Sequence, residues 1–400
     1  MDSEIGKRKG FKSGVFTTLV VVFLIGVALV FVARFNNIHL MVYRSTSTQS
    51  SEKGIDLDQV VGKLQSINEL IGSVFIFDYE VDDTIDGLYK GYLSGLGDKY
   101  TDYYNAEEYK QLQESNSGSY KGIGVTISGA DGKMMIVEVH EGPAKEAGIL
   151  ADDEIKAVND KDISNFKTTT EVVKEIRGND QTTVKLTMYR ASTNKTFDCE
   201  LVLRDLTQET VNYHMEDTKN KVGYLQITQF EEVTAAQFKE GIKALQEQGM
   251  KSLILDLRNN PGGLLTSVVE IADELLPEGL ILSIEDKNGQ TKEYKSDSKY
   301  LNIPMTVLVN ENSASASEVL SGAIKDHKVG TLVGVKTYGK GIVQNVFPLG
   351  DGSAVKTTTA KYYTPSGNYI HGVGINPDIE QTDDSKVLQT ALDYLLNESE

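Results

Sequence analysis

Three stretches decide how this chain is read: Met305-Thr306-Val307-Leu308-Val309, then Ser313-Ala314-Ser315-Ala316-Ser317-Glu318, then a helical pattern running to His327. The first is short and rich in β-branched residues, as a buried strand requires. Ala316 to His327 repeats its apolar residues at helical spacing. The serines therefore stand at a strand-to-helix junction. Serine is a favoured helix N-cap, and Ser313 or Ser317 is expected to take that role. Ser315 has a second use. A sharp turn between strand and helix exposes a side-chain oxygen, and free amides at the helix start favour an oxyanion. The flanking alanines keep the turn uncrowded.

A serine is a poor nucleophile until a base takes its proton. The five histidines, His39, His140, His214, His327 and His371, form no recognisable constellation. A lysine remains, and a serine–lysine pair is a known variant of the serine–base arrangement. The candidate is Lys340, in Thr337-Tyr338-Gly339-Lys340-Gly341. A free lysine has a pKa of ~10.4 and is protonated at neutral pH. A base needs a value nearer ~7–8, reached through burial or neighbouring positive charge. Small Gly339 and Gly341 and apolar Ile342 and Val343 suit burial. Gln344 lies four residues on, where its amide oxygen can hold the amine. Such a pair points to a peptidase.

Lys340 also has a competing reading. Gly334 to Lys340 spells the first seven places of a P-loop. The next place needs a serine or threonine for Mg²⁺, and here it is Gly341. A P-loop also opens a helix, whereas Ile342 to Phe347 reads as extended. No cofactor is expected, and no residues have metal-ligand spacing. A second glycine-rich segment, Asn259-Asn260-Pro261-Gly262-Gly263, reads as a turn after a buried strand. Glycine lets backbone approach a substrate closely. The amide of Gly262 or Gly263 could thus join that of Ala316 in an oxyanion hole.

The chain has 400 residues, enough for two or three domains, and a net charge of −18. That charge argues against nucleic acid as a partner. A single cysteine, Cys199, excludes an internal disulfide. Val15 to Ala33 is a nearly unbroken apolar run of 19 residues, long enough to span a bilayer. Lys7, Arg8, Lys9 and Lys12 precede it, which keeps residues 1–14 in the cytoplasm and sends the remainder outside. No clean small-x-small cleavage site follows, so an uncleaved single-pass anchor at 15–33 is preferred to a signal peptide.

Residues 34–55 read as a linker and 56–115 as a helical segment, which either packs on the rest of the chain or forms a homodimer. Residues 116–206 read as a β-rich module with two short helices. Residues 207–380 alternate strand and helix in an α/β pattern, and 381–400 hold a closing helix.

These features together resemble the carboxyl-terminal processing peptidases, or tail-specific proteases. Three blocks carry the likeness: Gly142 to Ile149 with Asp152-Asp153-Glu154-Ile155, then Asp256-Leu257-Arg258-Asn259-Asn260-Pro261-Gly262-Gly263, then the serine run with Gly339-Lys340-Gly341 and Gln344. The resemblance implies a PDZ domain at 116–206 and a peptidase core at 207–380. It places the nucleophile on Ser315, the general base on Lys340 and the lysine-orienting glutamine on Gln344. Lys121-Gly122-Ile123-Gly124-Val125 would be the PDZ carboxylate-binding loop, capturing substrate proteins by unstructured, apolar C-termini. Arg177 resembles a position that couples the PDZ domain to the active site. One departure is Asp152-Asp153, where PDZ domains more usually have glycine–aspartate.

Overall fold

The computed structural model describes residues 54–130, 132–178 and 181–398. The apolar run Val15–Ala33 lies outside them, and among the described residues no helix is long and apolar enough to cross a membrane. The chain divides at Asp78 into two units. In the first, α1 (Leu57–Val74) is capped by the Asp56 carboxylate, which accepts from Gln59 N at 3.2 Å. Its apolar residues Val60, Val61, Ile67 and Leu70 are exposed.

The second unit opens with α2 (Val81–Ser94), β1 (Asp102–Tyr104) and α3 (Ala106–Ser117). Asn105 and Glu108 close a capping box at the start of α3. The all-helical expectation for 56–115 is corrected at β1. Three residues are too few to display an alternating pattern, and β1 exists because it pairs with a strand about 250 residues later.

The β-rich module follows: β2 (Ser119–Gly122), β3 (Val125–Ala130), β4 (Lys133–Val139), the single turn α4 (Pro143–Glu146), β5 (Asp153–Val158), β6 (Lys161–Asp162), α5 (Thr169–Arg177), β7 (Thr183–Arg190), β8 (Lys195–Val202) and β9 (Arg204–Thr207). Its main sheet runs β3-β4-β5-β7-β8, so β3 is an edge. Ile136, Ile155, Val172, Leu186 and Met188 fill its core. β2 and β9 pair antiparallel, Tyr120 opposite Leu206, and form the neck by which the module enters and leaves. Asp152 adopts φ +68°, the left-handed conformation that its usual glycine would supply and that aspartate tolerates. Asp153 is buried against Arg190 at 2.7 Å. The departure from the family pattern therefore leaves the turn intact.

The last region holds β10 (Val211–Asp217), β11 (Val222–Ile227), α6 (Thr234–Glu247), β12 (Ser252–Asp256), α7 (Leu265–Leu275), β13 (Gly279–Asp286), β14 (Thr291–Ser296), β15 (Met305–Val309), α8 (Ala316–His327), β16 (Thr331–Gly334), β17 (Ile342–Pro348), β18 (Ala354–Tyr363), β19 (Ile379–Glu380) and α9 (Asp384–Glu398). The central sheet runs β10-β11-β12-β15-β16-β19, parallel from β11 onward. Helices α6, α7 and α8 bury Phe238, Leu245, Ile271 and Leu320 with the apolar side chains of this sheet. Val387, Ala391 and Leu395 of α9 form a separate core with Ile254, Leu308 and Val333. Buried on both faces, β12 and β15 read as continuous apolar runs. A second, antiparallel sheet, β1-β18-β13-β14 with β17 on β18, escaped the sequence reading almost entirely. β14 is polar and mostly exposed, β1 is short, and although β13–β14 and β17–β18 are hairpins, the pairings of β18 with β1 and β13 that assemble the sheet are long-range.

One buried carboxyl has no role in this framework. Glu231 follows Phe230 in the turn between β11 and α6, is 1% exposed, and among the described residues its Oε2 has no hydrogen-bond partner. Burial pushes its pKa from an ordinary 4.5 up to about 7. The unfolded chain gives up this proton at lower pH than the folded one. Its contribution to stability therefore falls as pH rises from about 4.5 to about 7 and stays unfavourable above that. Glu231→Gln should raise stability at pH 8 by ~1–3 kcal/mol and change it little at pH 4. Denaturant melts of both proteins at the two pH values would show this. An equal effect at both would mean that the carboxyl is not protonated in the fold.

Candidate active site

Three loops leave the carboxyl ends of adjacent parallel strands and converge: Leu257–Leu264 after β12, Asn310–Ser315 after β15 and Val335–Gly341 after β16. Ligands of open α/β sheets bind outside such strand ends. Asp256, the last residue of β12, is fully buried. Arg258 pairs with it at 2.6 Å, and the Tyr224 hydroxyl donates to it at 2.8 Å. Arg258 also reaches Asp384 of α9 at 3.1 Å. The glycine turn thus starts from a fixed point.

Asn260 knits the first two loops together. Its Nδ2 donates to Ile227 O at 2.8 Å, and its carbonyl accepts from Ala314 N and from Ser317 Oγ, each at 3.0 Å. Ser313 Oγ donates to Leu257 O at 2.8 Å. Ser313 and Ser317 therefore do not cap α8, contrary to expectation: both hydroxyls tie loop to loop. The N-cap is Ser315 itself, at φ +54° and ψ −111°. This is a costly conformation for a residue with a Cβ, and such strain collects at functional sites.

Gly262 and Gly263 pack where no side chain fits. A Cβ on Gly262 would lie 2.8 Å from Ser315 Cβ and 2.9 Å from Ala316 N; one on Gly263 would lie 2.1 Å from Phe230 O. Their amides differ. Gly262 N–H donates to Asn260 Oδ1 at 2.8 Å. Among the described residues the amides of Gly263 and Ala316 have no acceptor. The sequence left both glycines open as oxyanion donors. The geometry favours Gly263 with Ala316, because the amide of Gly262 is already committed.

The Val335–Gly341 loop is joined to Ser315 by Glu318, a fully buried residue in the first turn of α8. Its Oε1 accepts from Thr337 Oγ1 at 2.6 Å and Gly339 N at 2.7 Å. Its Oε2 accepts from Lys340 N at 2.7 Å and Ser315 N at 3.0 Å. One carboxylate oxygen therefore holds the main chains of both candidate catalytic residues. Tyr362 of β18 repeats the link, its hydroxyl lying 2.7 Å from Lys340 O and 3.0 Å from Ser315 O. Burial, with Glu318 nearby, holds this phenol well above the ordinary tyrosine range, so it remains a donor.

Ser315 and Lys340 are both half buried. Burial lowers the pKa of Lys340, and the charges of Lys356 and Lys99 add to the effect. This is the environment that a lysine base requires. Among the described residues Lys340 Nζ makes no hydrogen bond or ion pair; it faces the Tyr100 ring, 4.7 Å from the centroid. The side-chain bonds from Lys340 to Ser315 and to Gln344 are thus not formed in this structure. Gln344, on β17, instead donates through Nε2 to Thr358 Oγ1 at 3.2 Å. That β17 is a strand also removes the P-loop reading, which needs a helix there.

In the β-rich module Gly122 ends β2, Val125 opens β3, and Ile123 and Gly124 form the loop between. Among the described residues the amides of Ile123 and Gly124 have no acceptor. A cavity of about 820 Å³ beside the loop is lined by Val125, Thr126, His140, Leu206, Glu114 and Arg177. Arg177, at the end of α5, donates to Glu114 of α3 at 2.7 Å and stacks on Tyr120 at 5.3 Å. Cys199 lies half buried on β8.

Sequence reasoning missed Glu318, Tyr362, Asn260 and Tyr100. For Glu318 there was a signal: Ser315-x-x-Glu318 is the spacing of a capping box. For the others there was none, since the contacts that give them their roles reach other segments of the chain, from Tyr362 to Lys340 and Ser315, from Asn260 to Ile227 and Ser317, and from Tyr100 to Lys340.

Residues 221–381 match Peptidase family S41, and residues 122–201 match the PDZ domain. The "Probable CtpA-like serine protease" of Staphylococcus aureus (strain N315) is 35% identical over 324 residues, which is 80% of this chain and 64% of that protein. This chain therefore spans less than two thirds of that relative's length. The carboxy-terminal processing protease CtpA of Bacillus subtilis (strain 168) is 36% identical over 326 residues, 81% of this chain and 69% of that one. Among solved structures, the photosystem II D1 C-terminal processing protease is 30% identical, with 83% of this chain and 90% of the other covered and a TM-score of 0.48. With its match to the Peptidase family S41 and PDZ models and its likeness to the Bacillus subtilis protein, the chain belongs to the carboxyl-terminal processing proteases of peptidase family S41.

Proposed function

We propose that this chain is a membrane-anchored serine endopeptidase, held by residues 15–33 with its catalytic part outside the cytoplasm, that recognises protein C-termini through its PDZ domain. The observation that carries the reading is the double link, through Glu318 Oε2 and Tyr362 Oη, between the main chains of Ser315 and Lys340. A structural lysine would not need its backbone tied to a strained serine. In the proposed reaction the neutral Lys340 amine takes the Ser315 hydroxyl proton as Oγ bonds to the peptide carbonyl carbon. The oxyanion accepts from the Gly263 and Ala316 amides. Lys340 then gives its proton to the leaving nitrogen, and the C–N bond breaks. A water, deprotonated by Lys340, resolves the acyl-enzyme and releases the new carboxyl end. Gln344 Oε1 would orient the amine once the substrate has closed the site, since apo hydrogen bonds often tighten only then.

Tail recognition is supported by the free amides of Ile123 and Gly124 and by the unpaired edge of β3, to which an extended tail can add as a strand. The full-length chain, recovered in the membrane fraction, should cleave an unfolded protein with an apolar C-terminus, followed by mass spectrometry. Amidating that terminus removes the charge that the loop would bind. A charge-assisted hydrogen bond is worth ~1.5–3 kcal/mol, so cleavage should slow about tenfold or more. Equal rates for acid and amide would refute tail recognition while leaving the peptidase intact. Failure to cleave either would count against the peptidase itself.

A further inference from the structure

Among the described residues, the only group facing the Lys340 amine at close range is an aromatic ring from a distant part of the chain. Tyr100 belongs to the turn between α2 and β1, and that turn is held rigidly. Asp98 accepts from Tyr100 N at 3.0 Å and from Thr101 Oγ1 at 2.7 Å. Thr101 Oγ1 lies 3.1 Å from Thr357 Oγ1 of β18. The following strand β1 pairs along β18, Tyr103 opposite Val355. On the other flank Lys99 Nζ donates to the Tyr338 hydroxyl at 2.9 Å, two residues before Lys340. The ring is thus clamped over Nζ from both sides.

An aromatic face attracts a cation and is nearly indifferent to a neutral amine. Before reaction, burial and the neighbouring lysines favour the neutral form of Lys340. When the serine proton arrives, positive charge appears on Nζ. Among the described residues no carboxylate or other acceptor touches that atom. Stabilisation that grows only as the charge develops accelerates the step, whereas equal stabilisation of both states would not.

We infer that Tyr100 is a positioning residue for the base, its ring face receiving the Lys340 ammonium that forms as Ser315 is deprotonated. The inference rests on the reading of Lys340 as the base. The other charged or titratable groups around Lys340 are Asp98 and Lys99 of the same turn, Tyr338 of its own loop, Lys356 and Tyr362 of β18, Glu318 of α8 and His371 of the loop packed on Gly341. None of them presents a π face or a carboxylate to Nζ at contact distance.

The test measures kcat/KM against pH for the full-length chain and four variants. Tyr100→Leu keeps apolar bulk over the amine but removes the π face. The ammonium loses support, so the acidic limb should move about 0.7 pH unit lower and the plateau should fall about fivefold. Tyr100→Phe, which keeps the face, should restore both. Tyr100→Trp, with the stronger face, should move the limb the other way. A merely structural lesion would lower the plateau without moving the limb down. A limb in Tyr100→Leu that stays where Tyr100→Phe has it, or moves up, overturns the inference. Should Tyr100→Leu fail to fold, the Phe and Trp variants decide by the direction of the limb. Lys340→Ala separates the two levels. If it stays active, the base reading fails and takes this inference with it. If it is inactive while the Tyr100→Leu limb is unmoved, only the Tyr100 inference is lost.

Discussion

Replacing Ser315 with alanine should lower turnover by about 10⁵-fold or more while leaving C-terminal tail binding unchanged, because a nucleophile and its base act as one unit. Lys340→Ala should cost nearly as much for the same reason, and the double variant little more than either single one. Lys340→Arg should not rescue, since a guanidinium cannot release its proton near neutral pH. The site's electrostatics add a distinguishing signature. Lys340 has a lowered pKa because the fold buries it, so the folded state disfavours its charged form. That penalty is complete at pH below the folded value and fades as pH rises through the unfolded value of ~10.4. Lys340→Met should therefore be inactive and yet melt at a higher temperature than the parent at pH 7. Activity by mass spectrometry, tail affinity by calorimetry and melting by circular dichroism measure the three quantities. Substantial turnover by Ser315→Ala would end the assignment of the nucleophile. A Lys340→Met protein less stable than the parent would mean that Lys340 is paired and charged, and so not a base.

Glu318→Gln should be almost as damaging through a different route. Four donors converge on the Glu318 carboxylate, two on each oxygen. An amide leaves one acceptor and turns an N–H₂ toward two donors. Hydrogen bonds to a charged acceptor are worth ~1.5–3 kcal/mol each, and buried donors left unpaired cost a similar amount. A stability loss of ~2–4 kcal/mol is therefore expected. The catalytic loss should be larger, about 10²–10³-fold in kcat, because displacing the Ser315 and Lys340 main chains by even 1 Å is costly to a positioned reaction. KM and tail binding should change little, as the PDZ module does not touch Glu318. A Glu318→Gln enzyme with near-parental kcat would show that the link is structural and that the alignment of serine and lysine comes from elsewhere.

The two predictions mark where local sequence reading stops. The strand Met305–Val309 and the helix Ala316–His327 were legible to the residue, because one is a buried parallel strand and the other carries a full helical period. The serine between them was legible as chemistry, since a strand-to-helix turn has few reasons to be so uncrowded. The lysine was found by elimination among the possible bases. Of the second sheet only Ile342–Phe347 was legible, as an extended segment. β14 and β18 are largely polar, β1 is three residues long, and β18 joins β1 and β13 from far along the chain. Such strands are specified by their partners and not by their own pattern.

Residue types and their spacing were enough to outline the α/β core, a β-rich module with two short helices, the candidate pair Ser315 and Lys340 and the glycine turn, while the PDZ identity came from the family resemblance. Periodicity is a property of consecutive residues, and so is the chemistry of a short motif. Where the hydroxyls of Ser313 and Ser317 go and what sits over the Lys340 amine depended on the tertiary structure alone. Gly262 is committed because Asn260 folds back on it, Ser313 and Ser317 are spent on neighbouring loops, and Tyr100 meets Lys340 only because β1 pairs with β18. The Gly262 bond closes a local turn, but the other two outcomes are contests for a hydrogen bond or a contact between segments far apart in the chain. No one segment carries the information about which of its competitors will arrive.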